Sequence, residues 1–182
     1  MKFQIQHFRE LPSTNTLALQ YVAEGASEGL VFVADYQSAG RGKPGRTWLS
    51  PPKKNLLFSV LIRPPIRPHR APLLTQIACR SIASVLKKSC RLSSTFKRPN
   101  DLMIRGKKIC GVLVEASSRS NGHLEAAVIG IGLNLNADRN ELISGATSVR
   151  EETGKRYDRR KLLQKILVQM NKDLKVLYAH PA

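Results

Sequence analysis

The sequence predicts an α+β fold in which helices pack on a mixed, largely antiparallel sheet. Apolar residues recur at helical spacing near the start, in the middle and at the end of the chain. Between these stretches lie apolar runs of strand length, several joined by glycine-containing hairpin signals. The order is helix, strands, helix, hairpin-linked strands, helix, which points to an α+β domain. The 182 residues, 42% of them hydrophobic, suffice for a single domain with a sizeable core.

Ser13 and Thr14 are N-cap residue types. Leu17, Ala18, Tyr21 and Val22 follow at helical spacing, and Gly25 marks the stop. Leu30–Ala34 reads as a buried strand, and a Gly/Arg loop follows it. Leu56–Ile62 is a second strand, ended by the proline-rich stretch Arg63–Pro68. Pro72 suits a first helical turn. Leu73, Ile77, Ser81, Ile82, Val85 and Leu86 then mark one inward face of a helix. Ser94–Lys97 reads as a short strand running into a turn at Pro99-Asn100-Asp101. Met103–Ile104 and Ile109–Ala116 read as a hairpin around Gly106-Lys107. Asn121-Gly122 is a second hairpin signal, leading into the apolar run from His123 to Asn136. Asp158 caps a final helix whose stripe is Leu162, Ile166, Met170, Leu174 and Leu177.

Thirty Lys and Arg residues against thirteen Asp and Glu give a net charge of +17. Such a field attracts polyanions, acidic proteins and phosphorylated ligands, or simply covers a solvated surface. A basic nucleic-acid-binding module is therefore one candidate. It would need aromatic residues on an exposed sheet face or a recognition helix, and aromatics are only 5% of this chain. The three cysteines, Cys79, Cys90 and Cys110, are odd in number and show no C-x-x-C spacing. They argue against a disulfide framework or a zinc site and for a reducing compartment. The N-terminus has no signal-peptide pattern, and Leu56–Ile62 is too short to span a bilayer. A soluble cytoplasmic protein without a membrane partner is expected.

The stretch Gly40-Arg41-Gly42-Lys43-Pro44-Gly45-Arg46-Thr47-Trp48 fits G-x-G-x-x-G. A dinucleotide-binding turn would open a helix at the third glycine and place an acidic residue ~20 positions on. Here Pro51-Pro52 stops any helix, and no Asp or Glu lies between Thr47 and Arg70. No G-K-[ST] closes a P-loop either. What remains is a glycine loop whose backbone N–H groups suit an anion. Arg41, Lys43 and Arg46 supply cations, and Trp48 supplies a flat face for a base. Three further clusters suit a pocket built against sheet backbone: Asn100 and Asp101 at a turn, Lys108 with Gly111, and Gly130, Gly132, Asn134 and Asn136 at a strand end.

In combination, Leu11–Asn15, Tyr36–Trp48, Lys97–Leu102, Lys107–Glu115, Gly130–Asn136 and Thr147–Val149 resemble, in order and separation, the catalytic domain of biotin–protein ligases. The resemblance runs from about residue 8 to the end of the chain. It implies a fold related to class II aminoacyl-tRNA synthetases and lipoate ligases. It also implies a two-step reaction. Biotin and ATP give biotinyl-5′-adenylate and pyrophosphate, and the adenylate then acylates a lysine of a biotin carboxyl carrier domain, such as that of acetyl-CoA carboxylase. By the same resemblance, Ser13, Thr14, Asn15, Gln37, Gly40, Arg41, Gly42, Lys43, Lys108 and Gly111 bind biotin. Arg41, Lys43, Arg46, Trp48, Asn100, Asp101, Lys108 and Asn134 meet ATP, with Mg²⁺ expected alongside it and no protein metal ligand assigned. Lys108 and Arg41 are the expected catalytic cations, with Asp101 as a candidate base.

The chain departs from the family pattern in three places. Arg98 stands where a Trp is usual, Lys43-Pro44 replaces a pair of basic residues, and the chain stops at the helix Asp158–Tyr178. The expectation is therefore a short form of one domain, without the small C-terminal β domain and without an N-terminal helix-turn-helix, so that no specific DNA is bound. A homodimer is left open. The alternatives are a degenerate homologue that binds biotin with weak or no turnover and a lipoate or octanoate ligase of the same superfamily. The second normally carries an RRxSGGG loop with a His following it as part of the pattern, and that pattern does not occur here.

Overall fold

The chain enters through a strand that its apolar pattern does not announce. In the computed structural model, which describes residues 1–118 and 122–179, β1 (Gln4–Leu11) is a mostly exposed edge strand. Its neighbour is β2 (Leu30–Gln37), to which it runs parallel. Such a pair needs a crossover, and α1 (Thr14–Ala23) provides it. Ser13 caps α1 by accepting from the backbone N–H of Thr16, and Gly25 ends the segment in the left-handed region.

The rest of the sheet is antiparallel. β3 (Leu56–Ile62) lies beside β2, and each of its residues is buried, as expected of a central strand covered on both faces. After α2 (Pro72–Cys90) come β4 (Thr95–Lys97), β5 (Asp101–Ile104), β6 (Lys107–Ser118) and β7 (Leu124–Leu133). The seven strands lie in the order β1-β2-β3-β7-β6-β5-β4. The β5–β6 turn uses Arg105 and Gly106, both at positive φ, so Lys107 already belongs to the strand and not to the turn. The hairpin signal at Asn121-Gly122 falls partly outside the described residues. A five-residue helix, α3 (Val149–Thr153), also escapes the apolar pattern. It is held between the Ser148 cap and Gly154 at positive φ. The last helix, α4 (Arg159–Ala179), starts where expected, with Asp158 accepting from the Lys161 N–H at 3.0 Å.

Two cores follow from this arrangement. On one face α2 and α4 bury Ile82, Leu86, Ile166 and Met170 against Phe58, Ile129 and Val112. On the other face α1 covers only part of the sheet, packing Ala18 and Val22 on Phe32, Leu61 and Val128. The uncovered part of that second face is where the functional residues gather. No helix among the described residues is long and apolar enough to cross a membrane.

All three cysteines are free and buried. Burial is the main cause that pushes the Cys79 thiol up to about 12, and it raises Cys90 and Cys110 as well. The thiolate is the reactive form. The native protein is therefore expected to show almost no reaction with Ellman's reagent at pH 8, with all three thiols released in guanidinium. Rapid native labelling would contradict this packing.

Candidate active site

The floor of the site is bare backbone. Cross-strand pairs on one sheet face run Gly111–Gly132–Leu57 and Leu113–Gly130–Ser59. A Cβ on Gly132 would collide with the indole of Trp48, and one on Gly111 would sit 2.9 Å from the same ring. A Cβ on Gly130 would overlap the side chain of Asn15. The glycines thus let an aromatic ring and an amide lie directly on the strands.

Trp48 reaches this floor from the glycine loop, which is a hairpin and not the start of a helix. Gly42 N–H donates to Arg46 C=O at 2.9 Å, Arg46 N–H to Lys43 C=O at 2.8 Å and Trp48 N–H to Gly40 C=O at 2.9 Å. Gly40 is needed because a Cβ there would strike the Trp48 carbonyl. The buried indole N–H has no partner among the described residues, a donor left for something else to satisfy.

One end of the cleft is charged. Lys108 Nζ lies 2.7 Å from Asp101 and 5.3 Å from the Trp48 ring centroid. Simple alternation would put Lys108 and Gly111, three apart, on opposite faces. The β5–β6 register slips between Leu102 and Met103, which pair with Cys110 and Lys108 respectively. This bulge buries Ile109 and Cys110 together in the core and turns Lys108 into the cleft. Asn100 closes the corner: its C=O accepts from Val112 N–H, and its Nδ2 donates to Val112 C=O at 2.8 Å.

The other end is uncharged at its centre. Gln37 Oε1 accepts from the Thr14 backbone N–H at 2.7 Å and lies 3.0 Å from Thr14 Oγ1. Thr14 Oγ1 lies 2.7 Å from Ser59 Oγ, which donates to Asn15 Oδ1 at 2.5 Å. Asn15 Nδ2 donates to Glu115 at 2.8 Å, and Glu115 also pairs with Arg41.

Between the two ends is a cleft of about 450 Å³. Ser13, Thr14, Asn15, Gln37, Arg41, Gly42, Lys43, Arg46, Trp48, Asn100, Asp101, Lys108 and Gly111, all expected site residues, line it. Gly40 and Asn134 do not. Gly40 sits at the base of the loop hairpin, facing the neighbouring hollow. Asn134 lies behind Trp48, accepting from Asn55 Nδ2 at 3.3 Å and donating to the Thr147 carbonyl at 3.1 Å. Arg41 lines the cleft, but its guanidinium is engaged by Glu115, whereas Lys43 and Arg46 form no ion pair with a described residue. Arg98, in place of the expected aromatic, is an exposed cation on the cleft wall beside Lys97. Sequence reasoning missed Ser59 and Glu115 as site residues. A lone hydroxyl in the apolar run Leu56–Ile62, and a carboxylate in alternation with Gly111 and Leu113, were the available signals.

Trp48 is the chain's single tryptophan, so its fluorescence reports on this floor. The substitution Gly132→Ala is expected to lift the ring, red-shift the emission and destabilise the protein by about 1–3 kcal/mol in urea. An unchanged spectrum would show that the ring does not rest on Gly132.

Comparison with known proteins identifies the family and the fold. Residues 8–134 match the family model described as the Biotin/lipoate A/B protein ligase family. The bifunctional ligase/repressor BirA of Bacillus subtilis is 33% identical over 174 residues, 93% of this chain and 53% of the relative. The biotin–[acetyl-CoA-carboxylase] ligase of Paracoccus denitrificans is 35% identical over 153 residues, 80% of this chain and 62% of the relative. The chain therefore spans about half to two-thirds of the length of these curated relatives. Among solved structures, the biotin protein ligase of Aquifex aeolicus in complex with biotin and ATP superposes with a TM-score of 0.81 at 30% identity, covering 97% of this chain and 72% of that one. The Leishmania major biotin protein ligase in complex with biotinyl-5-AMP gives 0.76 at 25% identity, covering 95% and 75%. On the matched sequence, the shared fold and the cleft it carries, this chain belongs to the biotin/lipoate A/B protein ligase family.

Proposed function

We propose that the chain binds biotin and ATP, forms biotinyl-5′-adenylate with release of pyrophosphate, and transfers the biotinyl group to a lysine of a biotin carboxyl carrier domain, as in acetyl-CoA carboxylase, with AMP as the leaving group. One observation carries this reading. A single cleft joins an end lined by uncharged hydrogen-bonding groups, Thr14, Asn15 and Gln37, to an end held by Lys108, with a tryptophan between them. An N–H-rich neutral ring, an acyl chain ending in a carboxylate and a nucleotide fit that sequence of surfaces.

In the first step a carboxylate oxygen attacks the α-phosphorus of ATP, anion against anion. At ~4 Å and an effective dielectric near 20, two unit charges repel by about 4 kcal/mol. Lys108 projects into the cleft where the two meet and stabilises the charge that develops on the transferring phosphoryl oxygens. Lys43 and Arg46, free of protein carboxylates among the described residues, add to it from the loop. Trp48 offers its face to the adenine. Asp101 orients Lys108, and in this reading it also takes the acceptor lysine's proton, as a carboxylate among the described residues that line the cleft. The loop from Gly40 to Trp48 covers the adenylate and keeps water from the anhydride.

Among the described residues no three His, Cys, Asp or Glu side chains converge on a metal site. Mg²⁺ in this reading enters with the triphosphate as part of the substrate. The net charge of +17 steers an acidic carrier domain toward the cleft. The setting proposed is cytoplasmic, where reduced thiols such as the three free cysteines persist.

Biotin-dependent exchange of labelled pyrophosphate into ATP tests the proposal. The parent protein is expected to exchange. Lys108→Ala is expected to lose about 10²–10³-fold with its melting curve unchanged. Near-normal exchange by that variant would remove Lys108 from the chemistry. Biotin binding by the parent without exchange would mark a binding-only relative.

A further inference from the structure

Glu115 enters neither the reaction above nor the expected site, yet its carboxylate holds two elements at once. It stands on β6 beyond Gly111 and Leu113, on the cleft face, opposite Val128 of β7. Its Oε2 accepts from Asn15 at the start of α1 and from Arg41 at the start of the glycine loop. These partners lie 100 and 74 residues away in sequence.

The polarity of the neighbouring hydrogen bonds follows from this charge. A carboxylate only accepts, so Asn15 must turn Nδ2 toward Glu115, where the Leu113 carbonyl is a second acceptor at 3.4 Å. Asn15 Oδ1 then faces Ser59, whose hydroxyl donates to it. The same Ser59 hydroxyl also donates toward Thr14 Oγ1 at 2.7 Å, and Thr14 Oγ1 passes its own proton on to Gln37 Oε1 at 3.0 Å. Gln37 Oε1 is satisfied by the Thr14 backbone N–H at 2.7 Å. Two groups stay available to a ligand: the remaining lone pair of Thr14 Oγ1, which accepts, and Gln37 Nε2, which donates. The chain of contacts starts at Gln37, ends at Arg41, and closes on itself through the short backbone stretch between them.

We infer that Glu115 is a positioning residue that fixes the donor and acceptor order of the Asn15–Ser59–Thr14 relay and, through Arg41, clamps the base of the glycine loop to the sheet. This rests on the proposed function for the ligand's identity: a cyclic urea offers an N–H to Thr14 and a carbonyl to Gln37. With Arg41 fastened, loop movement is confined to the part beyond Gly42, which carries Lys43 and Arg46.

The test uses the full chain with Glu115→Gln and Glu115→Asp. Gln keeps the size but can turn its amide, so the order of the relay is no longer imposed and the ion pair is lost. For Glu115→Gln the dissociation constant and KM for biotin are expected to rise about 10-fold, the loss of one buried hydrogen bond. kcat and the KM for ATP should stay close to the parent values, and so should the melting temperature. Glu115→Asp, which keeps the charge, should retain more biotin affinity than Glu115→Gln. In the ligand-free protein, tryptic cleavage after Arg46 should be faster in Glu115→Gln. Biotin affinity equal to the parent's would overturn the relay, and unchanged cleavage would overturn the clamp. Should the parent itself take up no biotin, the ligase reading falls, and the cleavage rate alone decides whether Glu115 holds the loop.

Discussion

Bare backbone at the centre of a sheet is the constraint on which the rest of this site depends. Gly111, Gly130 and Gly132 strip one face of β6 and β7 of side chains over three neighbouring positions. Glycine in a strand lowers its intrinsic stability. Here the loss is offset by what settles on the vacant surface. The indole of Trp48 and the amide of Asn15 replace the missing side chains. The sheet is also strongly supported from behind, where α2 and α4 bury a continuous apolar layer. A rigid back and an open front come from the same strands, because α1 covers only part of the front.

Polar groups on that floor sort into two kinds by their partners. Toward the β3 side, hydroxyls and amides satisfy one another through short contacts, and the pocket keeps a fixed order of donors and acceptors. Toward the β5 side, a lysine stands against a single aspartate and the face of an indole. A neutral ligand ring suits the first and a charged, reacting group suits the second. The loop cations divide in the same way: Arg41 is spent on a protein carboxylate, while Lys43 and Arg46 face the open cleft. A large positive net charge thus acts locally, in a concave site whose anionic ligands repel each other.

Asn134 shows where local pattern misleads. A strand ending in asparagines invites a ligand role, but the amide of Asn134 is used within the protein, bracing the chain between Asn55 and Thr147. That brace lies behind Trp48 and fixes the segment that pairs alongside Lys108. Its influence on the site is through support of the wall.

The sequence by itself determined what depends on neighbours along the chain. Caps at Ser13 and Asp158, the stop at Gly25, the apolar stripes of α2 and α4 and the glycine pattern of the Gly40–Trp48 loop are local signals, and each element formed where they placed it. Most expected site residues met in one cleft because their segments were recognisable as a set. Tertiary structure alone decided the rest. β1 is a strand because β2 offers it an edge, not because its own residues are apolar. Lys108 enters the cleft because a register slip against β5 reverses the side-chain alternation at that point. Glu115 finds Arg41 and Asn15 across separations of 74 and 100 residues. Periodicity and capping act over a few residues, whereas register, edge pairing and ion pairs are set by strands that meet only once the whole sheet has assembled.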